Sequence, residues 1–114
     1  MYKVSEFSAM TGLSKDTLRY YDEIKLLEPA RVDPNNGYRY YDNGSYVIAV
    51  ILVKLRSLGF TIQEMTSVMN DESFANMERL LLEKRERIQS QIDELQAKIG
   101  DIDEFLASGR EDEP

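Results

Sequence analysis

The chain has 114 residues, 42% of them hydrophobic and 31% charged, with a formal net charge of −7; that balance belongs to a folded chain with room for one small domain and an extension. It holds no cysteine and no histidine, which excludes disulfides, thiolate or imidazole metal sites and histidine-assisted nucleophilic catalysis; with no activated nucleophile and no carboxylate pair placed for catalysis either, no metal, no cofactor and no enzymatic activity are expected. The N-terminus has no apolar leader and the longest apolar run, Tyr46 to Val53, is too short to span a bilayer, so a cytoplasmic protein without a membrane partner is expected.

Charge is unevenly spread: residues 1–60 hold 8 Lys/Arg against 7 Asp/Glu, and residues 61–114 hold 6 against 14. A polyanion meets little net repulsion from the first part and strong repulsion from the second. The second feature is a repeated unit, Arg19-Tyr20-Tyr21 and Arg39-Tyr40-Tyr41, which takes four of the seven tyrosines.

Tyr2-Lys3-Val4 reads as a short extended lead-in, and Ser5 as the N-cap of a helix carrying Phe7, Ala9 and Met10. Gly12 ends that helix, Leu13 is an apolar turn residue, and Ser14 caps a second helix running to about Ile24. This is a helix-turn-helix pattern. Leu18 and Tyr21 form the inward stripe of the second helix, leaving Lys15, Asp16, Thr17, Arg19 and Tyr20 on the outer arc.

Pro29 blocks further helix. Ala30-Arg31-Val32 and Tyr38-Arg39-Tyr40-Tyr41 then flank Asp33-Pro34-Asn35-Asn36-Gly37, whose Asn-Gly favours positive φ, giving a β-hairpin. Alternation puts Tyr38 and Tyr40 on one face and Arg39 and Tyr41 on the other. Tyr40 is assigned to the core, and Tyr41 is left open.

Asp42 or Asn43 begins a third helix ending at Gly59, with a segment from Tyr46 to Val53 that is apolar on every side and is assigned to the core and to the long helix of a second copy. Thr61 and Glu64 form a capping box for a fourth helix through Met65, Val68 and Met69, broken at Asn70-Asp71. From Ser73 to about Ala107 one long helix is expected, with apolar residues at Phe74, Leu81, Ile88, Ile92, Leu95, Ile99, Ile102 and Leu106. From Ile88 onward they are spaced 4, 3, 4, 3, 4, a heptad seam, whereas Arg85 and Glu78 interrupt its upstream half. Such a stripe needs a partner helix. The domains are set at 1–70, 71–108 and a polar, frayed tail at 109–114.

The segments VSEFSAMTGLSKDTLRYYDEIKLLEP, RVDPNNGYRYYD and LRSLGFTIQEM, in this order and ahead of a long heptad helix, resemble the MerR family of transcription regulators. The resemblance implies a mainly α winged helix-turn-helix, with Ser14–Ile24 as recognition helix, the hairpin as a wing, and the third and fourth helices as a second wing. It also implies an antiparallel coiled-coil homodimer that binds a pseudo-palindromic promoter operator and distorts it for RNA polymerase. The absence of cysteine sets metal- and redox-sensing relatives aside and places the chain nearest the organic-compound-sensing branch. There a small-molecule effector is bound by a further domain, so either the row is a DNA-binding fragment or a short member senses its effector otherwise.

On this resemblance Lys15, Thr17, Arg19 and Tyr20 read or orient the major groove, and Lys3, Tyr38 and Arg39 hold phosphates. Arg39 has a rival reading, a surface salt bridge to an acid on the third helix. Lys54 and Arg56 either reach flanking phosphates or lie along apolar surface. Leu81, Ile88, Ile92, Leu95, Ile99, Ile102 and Leu106 are the dimerisation residues. The rival function is a coiled-coil dimeric adaptor that binds proteins through a degenerate helix-turn-helix.

Overall fold

Lys3 closes a strand and opens a helix at the same residue. In the computed structural model, which describes residues 1–70 and 73–111, β1 (Tyr2–Lys3) runs directly into α1 (Val4–Thr11). The cap is Lys3 and not Ser5: the Glu6 carboxylate accepts the Lys3 backbone N–H at 3.2 Å, and strand pairing of Lys3 opposite Tyr40 leaves Val4 as the first helical residue. Of the three apolar residues expected to carry α1, Phe7 alone is buried, while Ala9 and Met10 face solvent.

Gly12, at φ 78°, turns the chain out of α1 and donates its N–H to Ser8 O at 2.9 Å. Ser14 Oγ then accepts the Thr17 N–H at 3.0 Å and starts α2 (Lys15–Glu23), whose Leu18 and Tyr21 are buried. The helix closes as a Schellman motif, with Leu26 N–H donating to Tyr21 O at 2.8 Å and Lys25 N–H to Asp22 O at 3.1 Å. The left-handed position in that motif is held by Lys25, at φ 61°.

β2 (Arg31–Val32) and β3 (Arg39–Tyr41) form the hairpin, and β1 pairs antiparallel on the far side of β3, so the sheet has three strands in the order β1-β3-β2. β1 is one strand more than the hairpin expected from the sequence. The register sets Tyr2 opposite Tyr41, Lys3 and Arg31 opposite Tyr40, and Val32 opposite Arg39. Tyr41, not Tyr40, is the core tyrosine: its ring is fully buried and stacks on Phe7 with centroids 4.3 Å apart and planes 6° apart, while Tyr40 is half-exposed. The face that covers α1 is therefore that of Arg39 and Tyr41.

Asp42 caps α3 (Asn43–Ser57), accepting from Ser45 N at 2.9 Å and Ser45 Oγ at 3.0 Å. These bonds hold the Asp42 carboxyl below its ordinary range. Along the apolar segment of α3, Ala49 and Leu52 are buried, and Val47 and Val50 are exposed in the single chain. Gly59, at φ 85°, ends it with the same pair of bonds as at Lys25, from Phe60 N to Leu55 O and from Gly59 N to Arg56 O. The Thr61–Glu64 capping box is formed in both directions, at 3.0 and 3.1 Å, and opens α4 (Ile62–Asn70) with Met65 and Val68 buried. The expected break at Asn70-Asp71 is met by the end of α4 at Asn70, and Asp71 lies outside the described residues.

The chain divides into two units near positions 71–72. The second is α5 (Phe74–Glu111), a helix of 38 residues. It runs through 109–111, where a frayed tail was expected: one glycine costs a long helix only about 1 kcal/mol, and Arg110 lies in the last turn, where a cation suits the dipole. Residues 112–114 of that tail lie outside the described residues. Among the described residues no helix is long and apolar enough to cross a membrane.

Lys25 and Gly59 occupy equivalent positions in equivalent turns, and only glycine is free of the Cβ clash there. Lys25→Gly is expected to stabilise the first unit by roughly 1 kcal/mol, read as a higher urea midpoint; an unchanged or lower midpoint would show that the Lys25 backbone carries no strain.

Candidate nucleic-acid interface

Two clefts flank α2, and between them they gather most of the expected contact residues. The first, about 530 Å³, is lined by Lys3, Val4, Ser5, Lys15, Arg19, Gly37, Tyr38, Arg39 and Tyr40. Four cations border it and no carboxylate does. Lys15 and Arg19 stand one helical turn apart on α2, so both project from one side of it; Lys3 arrives from β1, and Tyr38 to Tyr40 from the β3 side of the hairpin. Among the described residues Lys3, Lys15 and Arg19 form no ion pair, so their charges are available to an anion.

Tyr38 is 63% exposed and offers a hydroxyl beside those cations. Tyr40 belongs to the same face, with Lys3 and Arg31 as its cross-strand neighbours, and the Arg31 guanidinium lies over its ring at 5.9 Å. Tyr40, assigned to the core from the sequence, lies at this cleft instead. Strand alternation carries the signal, since Tyr38 and Tyr40 share a face and Tyr38 is exposed.

Arg39 departs from the arrangement expected for it. Its Nε donates to Asp22 Oδ2 at 2.7 Å, so it is ion-paired while still bordering the cleft. The acid is on α2, not on the third helix as the rival reading had it, because the Arg39–Tyr41 face turns toward the helices.

The second cleft, about 340 Å³, is lined by Thr17, Tyr20, Tyr21, Arg56, Phe60, Thr61, Ile62 and Met65. Thr17 and Tyr20 thus open away from Lys15 and Arg19, toward α3 and α4. Tyr20 is 47% exposed. Thr17 is half-buried, and its hydroxyl accepts a hydrogen bond from Ser14 Oγ at 2.8 Å. Arg56 joins this group, whereas Lys54 is exposed and lines neither cleft.

On α5 the six seam residues from Ile88 to Leu106 are all between 41% and 60% exposed in the single chain, and Leu81 is half-buried. Phe105, beside the seam, is 81% exposed.

Residues 2–72 match the model of the MerR HTH family of regulatory proteins, and residues 49–105 match that of the MerR DNA-binding region. The multidrug-efflux transporter 1 regulator of Bacillus subtilis (strain 168) is 35% identical over 89 residues, covering 73% of this chain and 32% of that protein. The chain thus spans about a third of the length of the multidrug-efflux regulators it matches. Among solved structures, a complex of EcmrR with DNA in an EcmrR-RPo assembly aligns with TM-score 0.74 at 32% identity, over 97% of this chain and 40% of that one. MtaN, the N-terminus of a Bacillus subtilis multidrug transporter activator, shares the fold at TM-score 0.82 and 24% identity, over 93% of this chain and 98% of that one. A basic cleft beside a helix-turn-helix, a wing and a long exposed seam, with a family match over residues 2–72, together identify the chain as a member of the MerR HTH family of regulatory proteins.

Proposed function

We propose that this chain binds duplex DNA at a pseudo-palindromic promoter operator as a homodimer and controls transcription by distorting that operator for RNA polymerase. The observation that carries the reading is the first cleft: Lys3, Lys15, Arg19 and Arg39 border one concavity that no acid enters. A protein-binding adaptor has no need of three unpaired cations converging there. In this reading Lys15, Arg19, Thr17 and Tyr20 face the major groove from the two sides of α2, and Lys3, Tyr38 and Arg39 hold phosphates and fix register. Arg56 reaches flanking backbone from the second cleft, and Lys54 contributes charge only. No step in this function is catalytic, and its place is the cytoplasm, where promoter DNA is. A small-molecule effector would be read by a domain outside this chain.

The net charge of −7 is compatible with a polyanionic partner. The acids concentrate in residues 61–114, most of which form α5, a rod about 57 Å long against a screening length of about 8 Å at physiological salt. Titration of labelled duplex at increasing salt tests the reading: log affinity should fall with log salt at a slope of about −3 per bound protomer. No measurable binding to any duplex at low salt would remove DNA as the partner.

The seam supplies the second copy. Six apolar side chains at 4, 3, 4, 3, 4 spacing, each at least 41% exposed, leave a helix that gains from pairing with an identical rod. Leu95→Asp combined with Ile99→Asp is expected to yield a monomer in sedimentation equilibrium and to weaken DNA binding by roughly 100-fold or more as bivalent attachment is lost. A double variant that remains dimeric would place the interface elsewhere.

A further inference from the structure

Arg39 is held at one end only. Its Nε donates to Asp22 Oδ2 at 2.7 Å, and among the described residues its terminal NH2 groups have no partner. A guanidinium is a rigid plane with five donors, so fixing Nε fixes the direction of both terminal groups. Arg39 borders the cleft shared with Lys3, Lys15, Arg19 and Tyr38, and its side chain keeps 31% of its exposure against 22% for Asp22. The pair is therefore open to an incoming anion and yet sheltered enough to stay formed.

The backing is rigid on both sides. Asp22 sits in the last turn of α2, which the Schellman motif closes through Asp22 O itself. Arg39 lies two residues before Tyr41 on the same strand face, and Tyr41 is clamped against Phe7. The phenol of Tyr41 is pushed above its ordinary pKa by burial and then by the Asp22 charge; a phenol is neutral at neutral pH in any case, so it adds no second anion behind the guanidinium.

Resting on the DNA-binding reading above, we propose that Asp22 is a positioning residue for DNA. It grips Arg39 by Nε so that the terminal NH2 groups meet a phosphate oxygen without first losing the freedom of a loose side chain. An acid at the DNA face thereby strengthens binding. Charge alone gives the opposite sign, since deleting a carboxylate from a chain of net charge −7 should tighten its hold on a polyanion.

The test uses the whole chain and a fluorescein-labelled duplex of mixed sequence, titrated at several salt concentrations. Asp22→Ala, which removes the acceptor, should weaken binding about three- to tenfold and make the salt slope shallower by about 0.9 for one lost phosphate contact. Asp22→Asn, which removes the charge but keeps an oxygen acceptor for Nε, should stay much closer to the parent. In an Arg39→Ala background, Asp22→Ala should cause no further loss. Arg39→Lys retains the charge but has no fork to be gripped, so it should lose most of what Arg39→Ala loses; this variant decides the matter even if Asp22→Ala unfolds, which a thermal melt would reveal. Tighter binding by both Asp22 variants, or full binding by Arg39→Lys, would overturn the assignment while leaving DNA binding intact. Failure of the parent chain to bind the duplex would instead overturn the functional reading beneath it.

Discussion

One stacked pair of rings sets the geometry on which the rest depends. Phe7 and Tyr41 lie 4.3 Å apart, nearly parallel and fully buried, and they join the first helix to the central strand of the sheet. Because side chains on a strand alternate, placing Tyr41 inward also turns Arg39 toward the helices and leaves Tyr38 and Tyr40 outward. A slip of one residue would exchange the two sets and put tyrosine hydroxyls where the arginine now meets Asp22. The aromatic contact is worth about 0.5–1.5 kcal/mol beyond burial, modest for stability, yet it fixes which way Tyr38, Arg39 and Tyr40 turn. The fold tolerates a cost at this place: the Tyr41 hydroxyl is buried with no hydrogen-bond partner among the described residues.

Electrostatics divides the chain in the same way as its structure. The first unit carries four of its eight Lys/Arg, namely Lys3, Lys15, Arg19 and Arg39, where β1, β3 and α2 converge, and it engages acids in caps, at Glu6, Asp42 and Glu64, and in a pair, at Asp22. Acids in caps satisfy backbone N–H groups and contribute to helix ends. Residues 61–114, most of which form the rod, hold 14 of the 21 acids. Net charge is thus a poor guide to the partner, because screening makes the local arrangement around a cleft count for more than the sum over the chain.

Local rules made much of this legible in advance. Gly12, Ser14, the Asn36-Gly37 turn, Gly59 and the Thr61–Glu64 box each have a conformational or capping reason that needs only a few neighbouring residues, and each element boundary they imply is found within a residue or so. The 4, 3 spacing along α5 is equally local. What escaped depends on residues far apart in the chain. The third strand requires Tyr2 and Lys3 to pair with residues nearly forty positions away, and the choice between Tyr40 and Tyr41 as core ring depends on which face meets Phe7. The Asp22–Arg39 pair, 17 positions apart, follows from that same choice. Along the apolar run of α3, Ala49 and Leu52 are buried, as local patterning alone would have them, while Val47 and Val50 are exposed in the single chain.

The central claim is that the Phe7–Tyr41 contact brings the β1 and β3 cations to α2 as one surface for duplex DNA. Two-dimensional amide spectra of isotope-labelled protein, recorded as a duplex is added, test it directly. The account requires the signals of Lys3, Lys15, Arg19, Tyr38, Arg39 and Tyr40 to move together at one affinity while ring-to-ring contacts between Phe7 and Tyr41 persist. Shifts centred instead on the exposed face of α3 at Tyr46, Val47 and Val50, or loss of the ring contacts on binding, would contradict it.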